Sequence, residues 1–173
     1  MQPPITPITG TFLDEISHDI PHQNWGREEW DQDFQAMKAI GIDTVILIRS
    51  GHKRQMTYPS KVLHEKQGCF MPVTDLVDLY LDLAEKHDMK FFFGTYDSGY
   101  YWHKGEFQKE IDINKAVVEE VWQKYGQRKA FQGWYLTQEV SRRTAGIIDV
   151  YAEMGRFCKS LDDNNLPTMI SPW

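Results

Sequence analysis

Short apolar runs and longer amphipathic stretches alternate along this chain. The run Thr44-Val45-Ile46-Leu47-Ile48 has no polar alternation, which is typical of a strand buried on both faces of a parallel sheet. In the stretch that precedes it, Trp30, Phe34, Met37 and Ile40 recur at helical spacing and form one apolar face. The same reading along the whole chain predicts five strands, over 8–13, 44–48, 91–96, 133–137 and 167–171, and four helices, over 27–40, 75–87, 114–125 and 144–161.

The strict alternation of strand and helix predicts an α/β fold built from parallel (β/α) repeats. Two architectures remain open: a small doubly wound sheet with its first strand at the centre, as in a non-catalytic regulator, and a TIM-type (β/α)8 barrel. The absence of a glycine-rich phosphate turn after the first strand favours the barrel. A whole barrel is typically about 250 residues, so we expect residues 1–173 to form a single domain that is about half to five-eighths of one.

Composition excludes several classes of protein. The chain of 173 residues has a formal net charge of −6, and its pI near 5.5 argues against nucleic acid as the main partner. There is no apolar stretch long enough for a membrane span and no signal-peptide pattern at the start of the chain. A disulfide between Cys69 and Cys158 is not expected. An open edge of a parallel sheet would allow self-association.

Polar and aromatic side chains follow every predicted strand. Because the carboxyl ends of parallel strands meet at one rim, we expect these side chains to converge there. They are Asp14, Glu15 and His18, then Arg49, His52, Lys53 and Arg54, then Tyr96, Asp97, Tyr100, Tyr101, Trp102 and His103, then Gln138, Glu139, Arg142 and Arg143, and finally Trp173. Carboxylates and arginine that can hydrogen-bond hydroxyl groups, beside aromatic rings on which sugar rings stack, indicate a carbohydrate ligand.

Glu139 is the strongest candidate for a catalytic group, because it follows an apolar strand and such a position is partly desolvated. A glycosidase needs a second carboxyl group, for which Asp14, Glu15 and Asp97 are open alternatives. A structural role for Glu139, paired with Arg49, Arg142 or a loop amide, is also open, as is the choice between ligand contact and an internal ion pair for Arg49. The predicted substrate-binding residues are Glu15, Arg49, Tyr96, Asp97, Trp102, Gln138 and Trp173.

Three segments of the chain resemble the start of a known family. They are Thr11-Phe12-Leu13-Asp14-Glu15, Trp25-Gly26-Arg27-Glu28-Glu29-Trp30 and the stretch 37–45. They are similar to a glycoside-hydrolase-like TIM-barrel family, domain of unknown function 4434, some members of which are described as candidate fucosidases. The segment 133–139 is similar to strand 4 of that family and of larger glycosidase clans, where the strand ends in Asn-Glu and the Glu is the acid/base. Gln138 replaces that Asn here.

The resemblance covers nearly all of this chain but only the first half of the family's barrel. It implies a carbohydrate-active domain that hydrolyses or binds a glycan, with Glu139 as general acid/base and with a periplasmic or secreted location. Separately, no two loop histidines have the close spacing of a helical metal pair, so we expect no metal and no cofactor. In those clans the nucleophile comes from strand 7, which lies beyond the five predicted strands. The alternative is a non-catalytic carbohydrate-binding or scaffold domain on the same fold.

Overall fold

The computed structural model describes residues 6–17, 24–139, 145–163 and 165–171. In chain order its elements are β1 (Gly10–Leu13), α1 (Arg27–Ala39), β2 (Thr44–Leu47), β3 (Gly51–His52), β4 (Gln55–Met56), α2 (Lys61–Gln67), α3 (Leu76–Lys86), β5 (Lys90–Gly94), β6 (Tyr96–Asp97), a 3-10 helix (Trp102–Lys104), α4 (Phe107–Tyr125), β7 (Phe131–Tyr135), α5 (Ile147–Ser160) and β8 (Thr168–Met169).

The main sheet has five parallel strands in the order β1-β2-β5-β7-β8. Each strand therefore pairs with the next main strand along the chain, and β1 lies at an edge. A doubly wound sheet would instead reverse its strand order at a switch point. The predicted α/β fold with TIM-barrel-type repeats is confirmed, and the small open-sheet alternative is not.

The sheet curls strongly. Phe12 on β1 and Tyr135 on β7 are three strands apart, which is about 14 Å along a flat sheet. Their ring centroids nevertheless lie 5.1 Å apart, in an edge-to-face contact. The face that carries these two rings is therefore concave, as the inside of a barrel wall is.

Both faces of the sheet are apolar, which explains the absence of alternation in the strands. The main core lies between the sheet and the helices, where Leu47, Phe93 and Trp134 are fully buried. A smaller cluster of Ile46, Phe92 and Tyr135 covers the concave face. Burial on two sides is what a continuous apolar run indicates.

Helix α4 begins at Phe107, seven residues before its predicted start at 114. The extra turns were missed because Glu110 and Asn114 are buried although they are polar. Polar residues on an inward-facing stripe break the apolar periodicity that identifies a helix. Both residues serve the loops above the sheet, as described below.

A second, three-stranded sheet stands at the carboxyl ends of β2 and β5. Its strand β3 pairs antiparallel with β4 and parallel with β6. The sequence analysis did not predict these two-residue strands or α2, because elements so short carry no periodic pattern. The small sheet matters for function since it brings the loop after β2 against the loop after β5.

Two further expectations concern the chain as a whole. Within the described ranges, no helix combines the length and the apolar character that a membrane crossing requires. Cys69 and Cys158 are both buried and both free.

Candidate functional site

The rim begins where the chain leaves β2 and crosses over Gly94. A Cβ atom at Gly94 would lie 2.0 Å from the Leu47 carbonyl oxygen and 2.8 Å from the Arg49 backbone nitrogen. The Ser50 N–H donates to the Gly94 carbonyl at 3.0 Å. The missing side chain of Gly94 thus allows the close crossing that carries Arg49 toward the loop after β5.

Arg49, His52 and Asp97 meet at this crossing. The Asp97 Oδ2 atom lies 3.3 Å from Arg49 Nη1 and 3.3 Å from His52 Nδ1. Asp97 also accepts a hydrogen bond from the Gly99 N–H at 2.7 Å, which fixes the turn after β6. Burial lowers the pKa of His52, and the Asp97 carboxylate opposes that shift. The internal ion pair that the sequence left open for Arg49 is therefore present.

Thr137 ties the fourth main strand to the same rim. Its N–H donates to Thr95 Oγ1 at 3.0 Å, and its hydroxyl lies 2.8 Å from the carbonyl oxygens of both Ile48 and Thr95. The buried Thr137 thus holds together the loops that follow β2, β5 and β7. These hydrogen bonds explain why the loops converge, as the parallel arrangement of the strands leads us to expect.

Beneath the rim, Glu110 organises a buried network that the sequence analysis missed. Its carboxylate accepts hydrogen bonds from the Ser98 N–H at 3.1 Å, from the Ser98 hydroxyl and from Gln138 Nε2 at 2.9 Å. Burial raises the pKa of Glu110, and the hydrogen bonds from Ser98 and Gln138 oppose the rise. The signal that could have found it is the pair Glu110 and Asn114, polar residues one helical turn apart.

Gln138 and Glu139 point in different directions. Gln138 is buried, and its amide donates to the Tyr96 carbonyl at 2.8 Å as well as to Glu110. Glu139 is exposed, not partly desolvated as its position after a strand led us to expect, because Gln138 takes the inward direction at the end of β7. Within the part of the chain that the structure describes, the Glu139 carboxylate has no hydrogen bond or salt bridge.

The phenol of Tyr135 is influenced by the charges of both Glu139 and Arg49. The pKa of Tyr135 is raised by burial and by the Glu139 carboxylate, whereas a hydrogen bond with Ser171 and the charge of Arg49 lower it. Both charges therefore act on the same phenol at the top of the concave face.

Other predicted site residues lie elsewhere or face inward. Tyr96 is buried, its hydroxyl donates to the Lys53 carbonyl at 2.6 Å, and burial raises its pKa. Trp102 packs on Phe107 with ring centroids 5.1 Å apart. Glu15 is 7% exposed. Tyr96 and Trp102 thus pack against the loops and Glu15 is buried, whereas Arg49, Asp97 and Glu139 reach the rim surface.

Four of the predicted residues fall outside the described ranges: His18, Arg142, Arg143 and Trp173. Among the residues that are described, no three His, Cys, Asp or Glu side chains gather closely enough to hold a metal ion.

Comparison with protein families identifies one model that covers nearly the whole chain. The model, described as "Domain of unknown function (DUF4434)", matches residues 8–173. A search of curated proteins finds no match.

Solved structures share the fold. A crystal structure described as "a putative alpha-L-fucosidase from Bacteroides thetaiotaomicron" is 63% identical with a TM-score of 0.89, over 96% of this chain and 51% of that chain. The chain thus spans about half the length of that protein. A GH2 beta-galacturonidase from Eisenbergiella tayi (15% identity, TM-score 0.60, 94% of this chain and 25% of that one) and a family 5 glycoside hydrolase from Bacteroides vulgatus (12%, 0.59, 86% and 32%) share the fold alone.

Proposed function

Since the chain belongs to the DUF4434 family and resembles glycoside hydrolase domains, we propose that residues 1–173 form the first part of a glycosidase-like TIM barrel that cleaves a glycan at its rim. In this proposal Glu139 is the general acid/base. As acid it protonates the oxygen of the leaving sugar, and as base it later takes a proton from water.

The state of the rim carboxylates is the observation that carries this proposal. Asp97 is held by Arg49, His52 and the Gly99 N–H, and Asp14 accepts hydrogen bonds from the Ile16 and Ser17 backbone N–H groups. Glu139 is exposed, and its carboxylate forms no hydrogen bond or salt bridge with another described residue. A proton donor to a glycosidic oxygen needs such access.

The second carboxylate is proposed to come from outside the 173 residues. The 63% identical structure is about twice as long as this chain, and the open concave face leaves room for a facing wall. Asp97 is the alternative within the chain, but its bonds to Arg49 and His52 must break before it can attack a sugar. We therefore propose that hydrolysis requires the longer protein.

The test compares Glu139→Gln with the control Glu119→Gln, an exposed residue on α4. Both are made in a protein extended to the length of the matched structure and assayed on aryl and alkyl α-L-fucosides, then on other glycosides. We expect Glu139→Gln to lower kcat/KM by about 10²–10⁴-fold on alkyl substrates and by less on nitrophenyl substrates, whose leaving groups need no proton. Equal activity of Glu139→Gln and the control would remove Glu139 from this role.

A non-catalytic glycan-binding domain is the second candidate. It is favoured by Gln138, which occupies the place of the clan Asn but is turned inward and bonded to Glu110, so it cannot contact a sugar hydroxyl as that Asn does. Binding of glycans by the extended wild-type protein without any turnover would select this candidate.

A further inference from the structure

A basic cleft borders the rim beside Arg49. It has a volume of ≈ 590 Å³, and its wall includes Ser17, Arg49, His52, Lys53, Arg54 and Phe70. We propose that this cleft is a subsite for an acidic sugar, whose carboxylate or sulfate group it binds. The inference rests on the proposed function, because it names the class of glycan that the rim accepts.

The charge of the cleft is the first argument. Its lining includes three permanently cationic side chains and no acidic one. The chain as a whole has a net charge of −6, so this group of cations is a local departure from the overall charge. In the described part of the chain, neither the Lys53 ammonium nor the Arg54 guanidinium forms a salt bridge. Two of the three cations therefore remain uncompensated by protein carboxylates.

The lysine at position 53 is held in place by its surroundings. Its backbone has a φ of 54°, a left-handed conformation in which glycine or asparagine would be less strained. Its carbonyl accepts from the Tyr96 hydroxyl and its N–H donates to the Asp97 carbonyl at 3.0 Å. The lysine stem passes over Gly99, where a Cβ atom would lie 2.8 Å from Lys53 Cγ.

Arg54 and Arg49 are also fixed before any ligand arrives. Arg54 Nε donates to the Gly68 carbonyl at 3.0 Å, and the guanidinium carbon lies 4.3 Å from the centre of the Phe70 ring. Arg49 Nη1 contacts Asp97, while its buried Nε atom has no hydrogen-bond partner among the described residues. Cations whose side chains are already ordered lose less entropy when they bind an anion.

The cleft adjoins the proposed catalytic group. Arg49 lines the cleft and directly follows Ile48 in the chain. The Ile48 carbonyl accepts from the Thr137 hydroxyl at 2.8 Å, and Thr137 precedes Glu139 by two residues. Glu15 lines a neighbouring hollow, but its side chain is buried. A sugar with an anionic substituent can therefore place this group in the cleft while its glycosidic bond lies toward Glu139.

Binding titrations with charge-matched probes test the inference. The probes are a uronic acid trisaccharide and its methyl ester, which differ in charge, and a sulfated disaccharide and its desulfated parent. Chemical shift changes are followed by NMR in the protein extended to the length of the matched structure. Three forms are compared: the wild type, Lys53→Gln/Arg54→Gln, and Lys61→Gln/Lys66→Gln, a control with the same loss of charge on exposed residues of α2.

We expect the acidic form of at least one pair to bind better than its neutral form, and more weakly as salt is raised. The Lys53→Gln/Arg54→Gln protein should lose about tenfold or more in affinity for the acidic form and nothing for the neutral one, with the control unchanged. Whether carboxylate or sulfate is preferred follows from which pair shows the effect.

Two failures are distinguishable. Equal binding of acidic and neutral forms, or equal behaviour of the two double variants, overturns the inference and leaves the proposed function intact. Binding of none of the four probes by the folded wild type overturns the inference, whereas the proposed function is overturned only if the extended protein neither cleaves nor binds any glycan tested.

Discussion

Replacement of Glu110 tests whether one buried carboxyl group holds the rim loops in place. The Ser98 hydroxyl already accepts hydrogen bonds from the backbone N–H groups of Tyr100 and Tyr101, so it can only donate to Glu110. Glutamine at position 110 keeps an acceptor for the Ser98 N–H and for Gln138, but it turns an NH2 group toward that saturated hydroxyl. Alanine removes all three hydrogen bonds.

The magnitudes follow from the donors left without an acceptor. One unpaired buried donor costs about 1–3 kcal/mol. At pH 4 we expect Glu110→Gln to lower the free energy of unfolding by about that amount, because a protonated carboxyl oxygen can still accept from Ser98 and an amide nitrogen cannot. Glu110→Ala leaves three donors unpaired and a cavity as well, for which we expect a loss of about 3–5 kcal/mol.

The difference in free energy of unfolding between the wild type and Glu110→Gln should depend on pH. Burial raises the pKa of Glu110 in the folded protein above its ordinary value. Such a group stabilises the fold most below the ordinary pKa and loses that contribution as the pH rises through the folded pKa. The free energy of unfolding of the wild type should therefore exceed that of Glu110→Gln by less at pH 8 than at pH 4. The other titrating groups are common to both proteins, so their contributions cancel in this difference.

Urea unfolding of the wild type, the two Glu110 variants and Glu119→Gln at both pH values provides the measurement. Glu119 is exposed on the same helix, and its replacement should change the free energy of unfolding by less than about 0.5 kcal/mol. A Glu110→Ala protein as stable as this control would refute the network, and a pH-independent difference for Glu110→Gln would refute the role of burial.

Two further predictions concern the core and the crossing of the strands. Gly94→Ala should lower the free energy of unfolding by about 3 kcal/mol, measured by urea unfolding, because the new methyl group would clash with the Leu47 carbonyl; stability like that of the wild type would contradict the close crossing. Cys158 should resist a thiol reagent at pH 8 until the protein unfolds, since burial raises the pKa of its thiol to about 12; rapid labelling of the folded protein would show that α5 is open.

The main sheet and its helices were predictable because each depends on a local pattern. Apolar runs such as 44–48 identify strands, and helical stripes such as that of Trp30, Phe34 and Met37 identify helices. Both patterns are local and do not depend on contacts with distant parts of the chain. The start of α4 was missed, since the burial of Glu110 depends on Ser98 and Gln138 elsewhere in the chain.

The rim was predicted as a region, and its internal contacts were not. Parallel strands bring their carboxyl ends together, so Arg49, Asp97 and Glu139 could be assigned to one edge from sequence. The direction of each side chain depends on the partners it finds in the fold. Tyr96 turns toward the Lys53 carbonyl and Gln138 toward Glu110, and no spacing in the sequence predicts either contact.

Two arginine side chains at opposite ends of the sheet differ in how fully their charges are compensated. At the opposite end, before β7, Arg128 donates to Glu85, Asp82 and Asp78, with nitrogen–oxygen distances of 2.7–3.1 Å. These carboxylates raise the pKa of Arg128. The guanidinium therefore belongs to a structural ion cluster, in which carboxylates of the protein compensate its charge.

At the rim the charges of the described residues are compensated only in part. Arg49 contacts Asp97 through one nitrogen, the Lys53 ammonium has no carboxylate partner, and Glu139 is exposed. An exposed charge costs little while water solvates it, so such groups remain available to a ligand, whereas the Arg128 guanidinium already forms four hydrogen bonds to carboxylates. We therefore expect loss of charge at Lys53 or Glu139 to change binding or catalysis with little change in the free energy of unfolding. Loss of charge at Arg128 should mainly lower the free energy of unfolding.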